Sequence, residues 1–395
     1  MTILISGGGI GGLGTAIALA RHGIKSHILE QTEIFSEVGA GIQIGPNGMR
    51  ILQDWGLGEL LEGQGATPDC IRIYDGLTGA NLNTIPLGSY VQERFGAPYK
   101  VFHRSELQMA LLEKANSMQE IEISMGFRAK EFRQHDHQVT IHSINGEMHT
   151  GRLLIGADGL WSRTRRQLFP NITPSFFGKT AWRTVVNRAD VPPPFNQLET
   201  GLWMAPHAHL VHYPVLGGEA VNFVAVISDR FEEQGWSSSG QVEQLLSHYQ
   251  DWDDAPRHFL NSITDWQKWA LFALAPLPSW TKERVCLLGD AAHPAIPFLA
   301  QGGVMALEDA HILAELLDLY GDDHQSAFRQ YEKQRRPRAT HVMDTARKLG
   351  KIYHMKGLMR HARNAVLTRK KPEKLLADYD WLYGFEITAA QKQQA

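Results

Sequence analysis

The chain has 395 residues, 43% hydrophobic and 21% charged, with a formal net charge of −3. That is ordinary globular composition with material for two domains or one elaborated domain, and it offers no basic field for nucleic acid or an anionic membrane surface. Two cysteines, Cys70 and Cys286, exclude a disulfide framework or a thiolate metal site, while the lack of a bilayer-length apolar run or a basic signal leader points to a cytoplasmic protein.

The first element is a short buried strand over Thr2-Ile3-Leu4-Ile5-Ser6, followed by five glycines within positions 7–12. From Leu13 the spacing of Leu, Ile and Ala predicts a helix ending at Gly23. Gly7, Gly9 and Gly12 then form a Gly-x-Gly-x-x-Gly turn between strand and helix. In a dinucleotide site the first glycine makes the tight turn, the second admits the pyrophosphate, and the third allows close helix–strand packing. The next strand, His27-Ile28-Leu29, ends in Glu30, 18 residues beyond Gly12. A carboxylate there accepts hydrogen bonds from a ribose 2′-hydroxyl and repels a 2′-phosphate, which leaves NAD or FAD.

Further on, residues 71–87 read as a hairpin turning at Thr78-Gly79. Between Ile121 and Asp158, the segments IEISM, QVTIHSI and RLLIGADG, with Asn145-Gly146 as a turn, predict a β-meander that delivers a strand to Gly156-Ala157-Asp158-Gly159. Residues 176–275 predict a mostly antiparallel sheet, with Trp236 to Trp269 as a helix. ERVCLLGDAAH then reads as a buried strand ending at Gly289-Asp290, and Gly302-Gly303 open a long helix. From about 325 the chain is helix-rich, with a basic face exposed to solvent.

The ordered set Gly7-x-Gly9-x-x-Gly12, Gly156-Ala157-Asp158-Gly159 and Gly289-Asp290-Ala291-Ala292-His293-Pro294, with EVGAGIQIGPN (37–47), HRSEL (103–107) and DWLYGF (380–385), resembles the single-component flavoprotein aromatic hydroxylases. The likeness is to the salicylate hydroxylase and 3-hydroxybenzoate 6-hydroxylase type, with 6-hydroxynicotinate 3-monooxygenase nearby, and it runs nearly end to end. It implies bound FAD, NADH as a transient co-substrate, oxygen, and a small aromatic acid as substrate. Gly7, Gly9, Gly12 and Glu30 would hold the ADP half, and Arg104 would reach the cofactor from a helix start. Asp158, Gly159 and Arg165 lie in the stretch the family associates with FAD and nicotinamide, and Asp290 would bond the ribityl or pyrophosphate region. Gly302 and Gly303 would present backbone N–H groups to the pyrimidine edge, where a helix N-terminus stabilises the charge of reduced flavin. Many relatives have a small residue or Asn at Val304, which leaves the backbone role intact but not a side-chain contact.

Such a hydroxylation needs an ionised phenol, hence a base with a pKa near neutrality, and His is the natural type. HAHLVHYP (207–214) supplies three. In a strand His207, His209, Val211 and Tyr213 share a face and His212 opposes them. The family's His-x-x-x-Tyr-Pro pattern falls on His209, Tyr213 and Pro214, making His209 the expected general base and Tyr213 the group that orients the phenol. The alternatives are a sheet histidine that satisfies only its own hydrogen bonds, or a metal site, for which no carboxylate or Cys accompanies the histidines. His293 is assigned a structural role, and Arg183 is a candidate partner for a substrate carboxylate. By resemblance, Gln43 stands where the hydroxynicotinate enzymes have His, and Pro297 where the 3-hydroxybenzoate enzymes look to carry a catalytic Gln. Elimination therefore makes salicylate, converted to catechol with loss of carbon dioxide, the leading substrate. The alternatives are 3-hydroxybenzoate 6-hydroxylation, another aromatic or N-heteroaromatic hydroxylation, and a flavin-binding redox module without turnover.

The expected architecture is α/β: a Rossmann-like FAD-binding domain of the glutathione-reductase type (1–70, 101–175 and 280–345), a β-sheet substrate domain (71–100 and 176–279) and a C-terminal helical segment (346–395). A homodimer is the assembly considered, with no metal, nucleic-acid or membrane partner.

Overall fold

The computed structural model describes residues 2–35, 41–230, 238–239 and 241–386. The first part of the 37–47 motif and Trp236 lie outside the described residues. The strand Ile3–Ser6 is central to a six-stranded sheet, paired in parallel with Ser26–Leu29 on one side and Leu153–Gly156 on the other. All twelve residues of these three strands are buried, as a parallel sheet covered on both faces requires. Ile121–Ser124 and Val285–Leu287 flank the three, and Thr281–Lys282 forms the antiparallel edge.

The first helix runs Ile10–Ala20, so it starts three positions before the predicted Leu13 and absorbs three glycines. Close packing explains their presence. A Cβ on Gly12 would lie 1.8 Å from the Gly7 carbonyl oxygen, and one on Gly14 would lie 3.2 Å from the Trp55 ring. The helix propensity lost at glycine is offset by the close approach of helix to strand and to neighbouring helices.

The meander differs from expectation in its membership. Ile121–Ser124 belongs to the parallel sheet, and the three-stranded antiparallel sheet is Ala129–Gln134, Val139–Ser143 and Met148–Gly151. Asn145-Gly146 does turn the last hairpin, with Gly146 at φ 87°. Ala129–Gln134 carries Lys130, Glu131 and Arg133 and lacks the apolar alternation that announces a strand.

A third, eight-stranded sheet draws on both segments expected for the substrate domain. Its order is Ser238–Ser239, Gln267–Ala273, Ser175–Asn187, Ala220–Ser228, Ala208–Val215, Thr200–Ala205, Cys70–Asp75, Asn81–Pro86. Only the pairing of Thr200–Ala205 with Cys70–Asp75 is parallel. Among the described residues the helix expected from Trp236 to Trp269 is not formed: two short helices, Val242–Ser247 and Asp254–Ser262, precede a strand that contains Trp269. Trp252 and Trp266 are buried with Phe195, Phe223 and Phe259 in a core on the outer face of this sheet, so the aromatic spacing there reports burial and not helical period. The helices Gly302–Tyr320 and His324–Tyr353 pack together, and the second crosses the boundary expected at 345/346. Shorter helices, Gly357–Arg369, Pro372–Ala377 and Asp380–Tyr383, complete the described chain. Among the described residues no helix is long and apolar enough to cross a membrane, and no cluster of His, Cys, Asp and Glu could hold a metal ion.

Candidate active site

The carboxyl ends of the parallel strands open onto a cavity of about 580 Å³, whose opposite wall is the inner face of the eight-stranded sheet. On the first side lie Gly9, Ala157, Gly159, Gly289 and Asp290, the N-termini of the helices Ile10–Ala20 and Gly302–Tyr320, and Arg104. Val211, Tyr213 and His209 from one strand face them, with Val224 and Val226 from its neighbour. Leu367, Leu375, Leu376, Tyr379 and Tyr383 of the C-terminal helices close the remaining side.

The glycine loop divides its labour as a dinucleotide site demands. Gly7 has φ +105°, and a Cβ there would lie 2.6 Å from the Ala157 carbonyl oxygen. Gly9, the N-cap of the first helix, has nothing within 4 Å of its Cβ position and lines the cavity. Gly12 permits the close packing described above. Glu30 accepts a hydrogen bond from the Gly8 N–H at 2.6 Å and two more from Thr32, so its carboxylate is fixed against the loop. The second helix N-terminus, at Gly302-Gly303, meets the same cavity with open space at Gly302, whose nearest neighbour is the Asp290 carboxylate at 3.9 Å. Val304 turns away and packs on Gly48. Two positive helix ends on one cavity, one bare at Gly9 and one bare at Gly302, fit an elongated anionic cofactor with a diphosphate and an electron-rich ring.

Arg104 follows the strand Lys100–His103 directly, and the helix Arg104–Asn116 begins with it under a capping box in which Glu106 accepts from the His103 N–H. Burial pulls the guanidinium pKa down, and the Asp290 carboxylate pulls it up. Burial likewise raises the Asp290 carboxyl against the opposing pull of His293 and Arg104. Asp158 is placed differently from expectation. Its carboxylate accepts from Ser162 Oγ, from the Arg163 and Thr164 N–H groups and from Thr164 Oγ1, and so caps the helix Arg163–Leu168. With four donors on that carboxylate, it is Ala157 and Gly159 on either side that reach the cavity. Arg165 is buried and donates to the Ala291 carbonyl, tying that helix to the Gly289-Asp290 loop.

Across the cavity the strand Ala208–Val215 alternates as its sequence predicts: His209, Val211 and Tyr213 face inward. His212 faces the outer aromatic core against Phe195 and Phe223, with neither ring nitrogen bonded. His207 is not on the inward face. It occupies the exposed turn before the strand at φ 66°, because the hairpin with Thr200–Ala205 closes between Ala205 and Ala208. His209 is 2% exposed, and burial, reinforced by the Lys179 charge, lowers its pKa to about 3, well below the near-neutral value expected of the base from sequence. Its Nδ1 lies 2.7 Å from Nε2 of His354. Burial raises the Tyr213 phenol well above its usual range, although Arg183 and a hydrogen bond with Gln43 act the other way. Gln43 also accepts from the Tyr99 hydroxyl at 2.5 Å, so Tyr99, Gln43 and Tyr213 form one polar cluster in a largely apolar wall. His293 is buried against Asp309, Nε2 to Oδ2 at 2.5 Å, beneath Trp280. Arg183 lies over the Trp269 ring at 4.8 Å, and burial and the nearby Arg104 charge lower its pKa to about 10.

Three polar residues went unnoticed in the sequence: Tyr99, His354 and Lys179. Tyr99 precedes the strand Lys100–His103, while His354 and Lys179 lie 145 and 30 positions from His209, and no local pattern joins them.

A dinucleotide-type glycine loop, a second glycine-led helix end and a histidine–tyrosine face around one cavity define a flavoprotein oxygenase class. Residues 1–346 match the family model described as an FAD binding domain, and the chain belongs to that family of FAD-dependent aromatic hydroxylases. The chain is 36% identical over 387 residues to a protein of Polaromonas naphthalenivorans named 3-hydroxybenzoate 6-hydroxylase, covering 98% of this chain and 96% of that one. A Klebsiella oxytoca protein of the same name is 36% identical, covering 98% and 97%. The fold is shared with a salicylate hydroxylase substrate complex at TM-score 0.82 and 24% identity, covering 98% and 96%.

Proposed function

We propose that this FAD-dependent monooxygenase uses NADH and oxygen to hydroxylate 3-hydroxybenzoate at carbon 6, giving 2,5-dihydroxybenzoate. The observation that carries the reading is the shared inward face of His209 and Tyr213 opposite the two glycine-led helix ends. The relatives at 36% identity bear the 3-hydroxybenzoate name, which moves the substrate away from salicylate. Pro297 lines the cavity and has no side chain to donate, but polar contact is available elsewhere, from the Tyr99–Gln43–Tyr213 cluster.

Gly7, Gly9, Gly12 and Glu30 would hold the adenosine diphosphate part of FAD, with Arg104 and Asp290 beside the pyrophosphate and Gly302 and Gly303 at the flavin ring. When bound, FAD accepts hydride from NADH and supplies activated oxygen. Neutral His209 takes the phenolic proton at Nε2, making the ring electron-rich. Tyr213, held in its protonated form by burial, donates to the phenolate oxygen and fixes the ring orientation. Arg183 provides positive charge for the carboxylate. The apolar strand residues around them exclude water, which strengthens each of these interactions.

The test is incubation with NADH, oxygen and each hydroxybenzoate isomer, followed by mass spectrometry. The expected product from 3-hydroxybenzoate is 2,5-dihydroxybenzoate in amounts matching NADH consumed. Catechol and carbon dioxide from salicylate, with no product from 3-hydroxybenzoate, would return the assignment to decarboxylative hydroxylation. Hydrogen peroxide alone with every isomer would reject hydroxylation of these acids, and no NADH oxidation with any of them would point to a flavin module without turnover.

A further inference from the structure

The base at the cavity does not stand alone. His209 Nδ1 lies 2.7 Å from His354 Nε2, and His354 Nδ1 lies 2.6 Å from Lys179 Nζ. The three residues come from the strand Ala208–Val215, the end of the helix His324–Tyr353 and the strand Ser175–Asn187. His209 is buried, whereas His354 and Lys179 are only half-buried. The row thus leads from the cavity wall toward solvent.

Each nitrogen–nitrogen contact holds one proton, and this constrains the protonation of the row. An ammonium has no lone pair, so charged Lys179 must donate to His354 Nδ1. His354 then carries its proton on Nε2 and donates it to His209 Nδ1, which leaves His209 with a proton on Nε2. In that state His209 presents N–H to the cavity and cannot act as a base. Uncharged Lys179 gains a lone pair and can accept instead; both imidazoles then reverse, and His209 Nε2 offers a lone pair.

We infer that Lys179 and His354 are positioning residues that set the tautomer of His209 and carry the substrate's phenolic proton away from the cavity. The inference rests on the hydroxylase reading for the identity of the proton donor. On binding, the phenol O–H bond breaks and its proton joins His209 Nε2. The proton on His209 Nδ1 passes to His354 Nε2, and the proton on His354 Nδ1 passes to Lys179 Nζ, which becomes ammonium and later returns the proton to water. No electron moves, and the net change is phenol plus amine to phenolate plus ammonium.

The surroundings favour this. Burial lowers the Lys179 pKa to about 8, so the uncharged form is populated near neutral pH. Ser228, on the neighbouring strand, is within 3.3 Å of Lys179 Nζ. The groups acting on His354, after burial itself, are His209, Lys179, His207 and Arg363, all bases. Phe298 and Tyr353 pack on the His209 ring, and Tyr249 donates only to its backbone carbonyl. Asp229 is occupied with Thr180 and Gln244. His248, which Asp229 and His207 influence, bonds to none of the three.

The test uses the full flavin-loaded chain labelled with nitrogen-15 histidine, with the His209 signals assigned by their loss in His209→Gln. Between pH 6 and 10 the proton on His209 should move from Nε2 to Nδ1 with a midpoint near 8. The movement should vanish in Lys179→Met and in His354→Phe, while Lys179→Arg should hold the Nε2–H form throughout. With 3-hydroxybenzoate bound, the ultraviolet phenolate band should rise through the same midpoint and be at least tenfold weaker in Lys179→Arg. A His209 tautomer that never changes, or that changes identically in all three variants, overturns the relay. Should the tautomer follow Lys179 while wild type neither binds nor hydroxylates 3-hydroxybenzoate, the relay stands and the substrate assignment fails.

Discussion

At the residue scale the cavity depends on side chains kept in one protonation state by burial. His209 stays neutral across the physiological range because the cavity wall does not solvate an imidazolium. Tyr213 stays protonated for the same reason with the opposite sign. An uncharged imidazole and an uncharged phenol therefore face one cavity. Replacing His209 by Gln should lower the rate of 3-hydroxybenzoate hydroxylation by about 10²–10⁴-fold, with product measured against NADH consumed. Equal coupled turnover in this variant would show that the phenol ionises without it. Tyr213→Phe removes one hydrogen bond, a change of about 0.5–1.5 kcal/mol. A rise in KM of roughly threefold to tenfold is expected, together with more hydrogen peroxide per NADH, because the ring is less firmly oriented. An unchanged peroxide yield would argue against an orienting role.

At the scale of elements, glycines and ion pairs decide how closely helices approach the site. Gly9 and Gly12 lie three positions apart in one helix start yet face opposite demands. Gly9→Ala meets no atom within 4 Å, so the apoprotein should keep its thermal midpoint while FAD affinity falls as the methyl enters the cleft. Gly12→Val forces a Cβ to 1.8 Å from the Gly7 carbonyl oxygen, so the loop itself must shift and the purified protein should be both colourless and less stable. Calorimetry and the flavin absorbance distinguish the two, and similar stability losses would contradict the division of roles. The helices Gly302–Tyr320 and His324–Tyr353 are tied by a buried network. Arg335 contacts Glu308 and Asp309 at 2.7 Å each, Arg338 also reaches Glu308 at 2.7 Å, and Asn47 donates to Glu308 at 2.8 Å. Arg335→Met would strand two buried carboxylates and should cost about 3–5 kcal/mol, read from denaturant unfolding. A loss below about 1 kcal/mol would show that Arg338 and His293 suffice to neutralise the pair. Asp309 also accepts from His293 and from the Gly289 N–H, so the network holds the Gly289-Asp290 loop as well as the two helices.

At the scale of the whole molecule, acid stability follows from the buried histidines. His209 and His212 each have a pKa lowered to about 3 by burial, against about 6.5 when unfolded. His354 shifts the same way. The unfolded chain therefore binds more protons than the folded one between pH 6.5 and 3, and stability falls as pH drops through that window. Above pH 6.5 this contribution is fully present. Below it, each unit costs about 1.4 kcal/mol for each such histidine. Denaturant midpoints measured from pH 8 to 4 should begin to fall near 6.5, and the fall should be shallower in His212→Leu. A flat profile down to pH 4.5 would mean that the histidines remain solvated.

The glycine loop, the strand–helix order around it, the inward pairing of His209 with Tyr213 and the outward facing of His212 were all legible in the sequence. Each rests on residues close in the chain and on a fixed local period, and backbone geometry alone relates such residues. The helix expected from Trp236 to Trp269 and the first strand of the meander were misread because aromatic spacing and apolar runs report burial without naming the partner that buries them. Asp158 resembles a cofactor ligand in sequence, and only folding brings Ser162, Arg163 and Thr164 onto its carboxylate. The Lys179–His354–His209 row, the Tyr99–Gln43–Tyr213 cluster and the closing wall from residues 367–383 join segments far apart in the chain. Nothing short of tertiary packing determines those contacts, because a side chain acquires a distant neighbour only when the elements carrying both have docked.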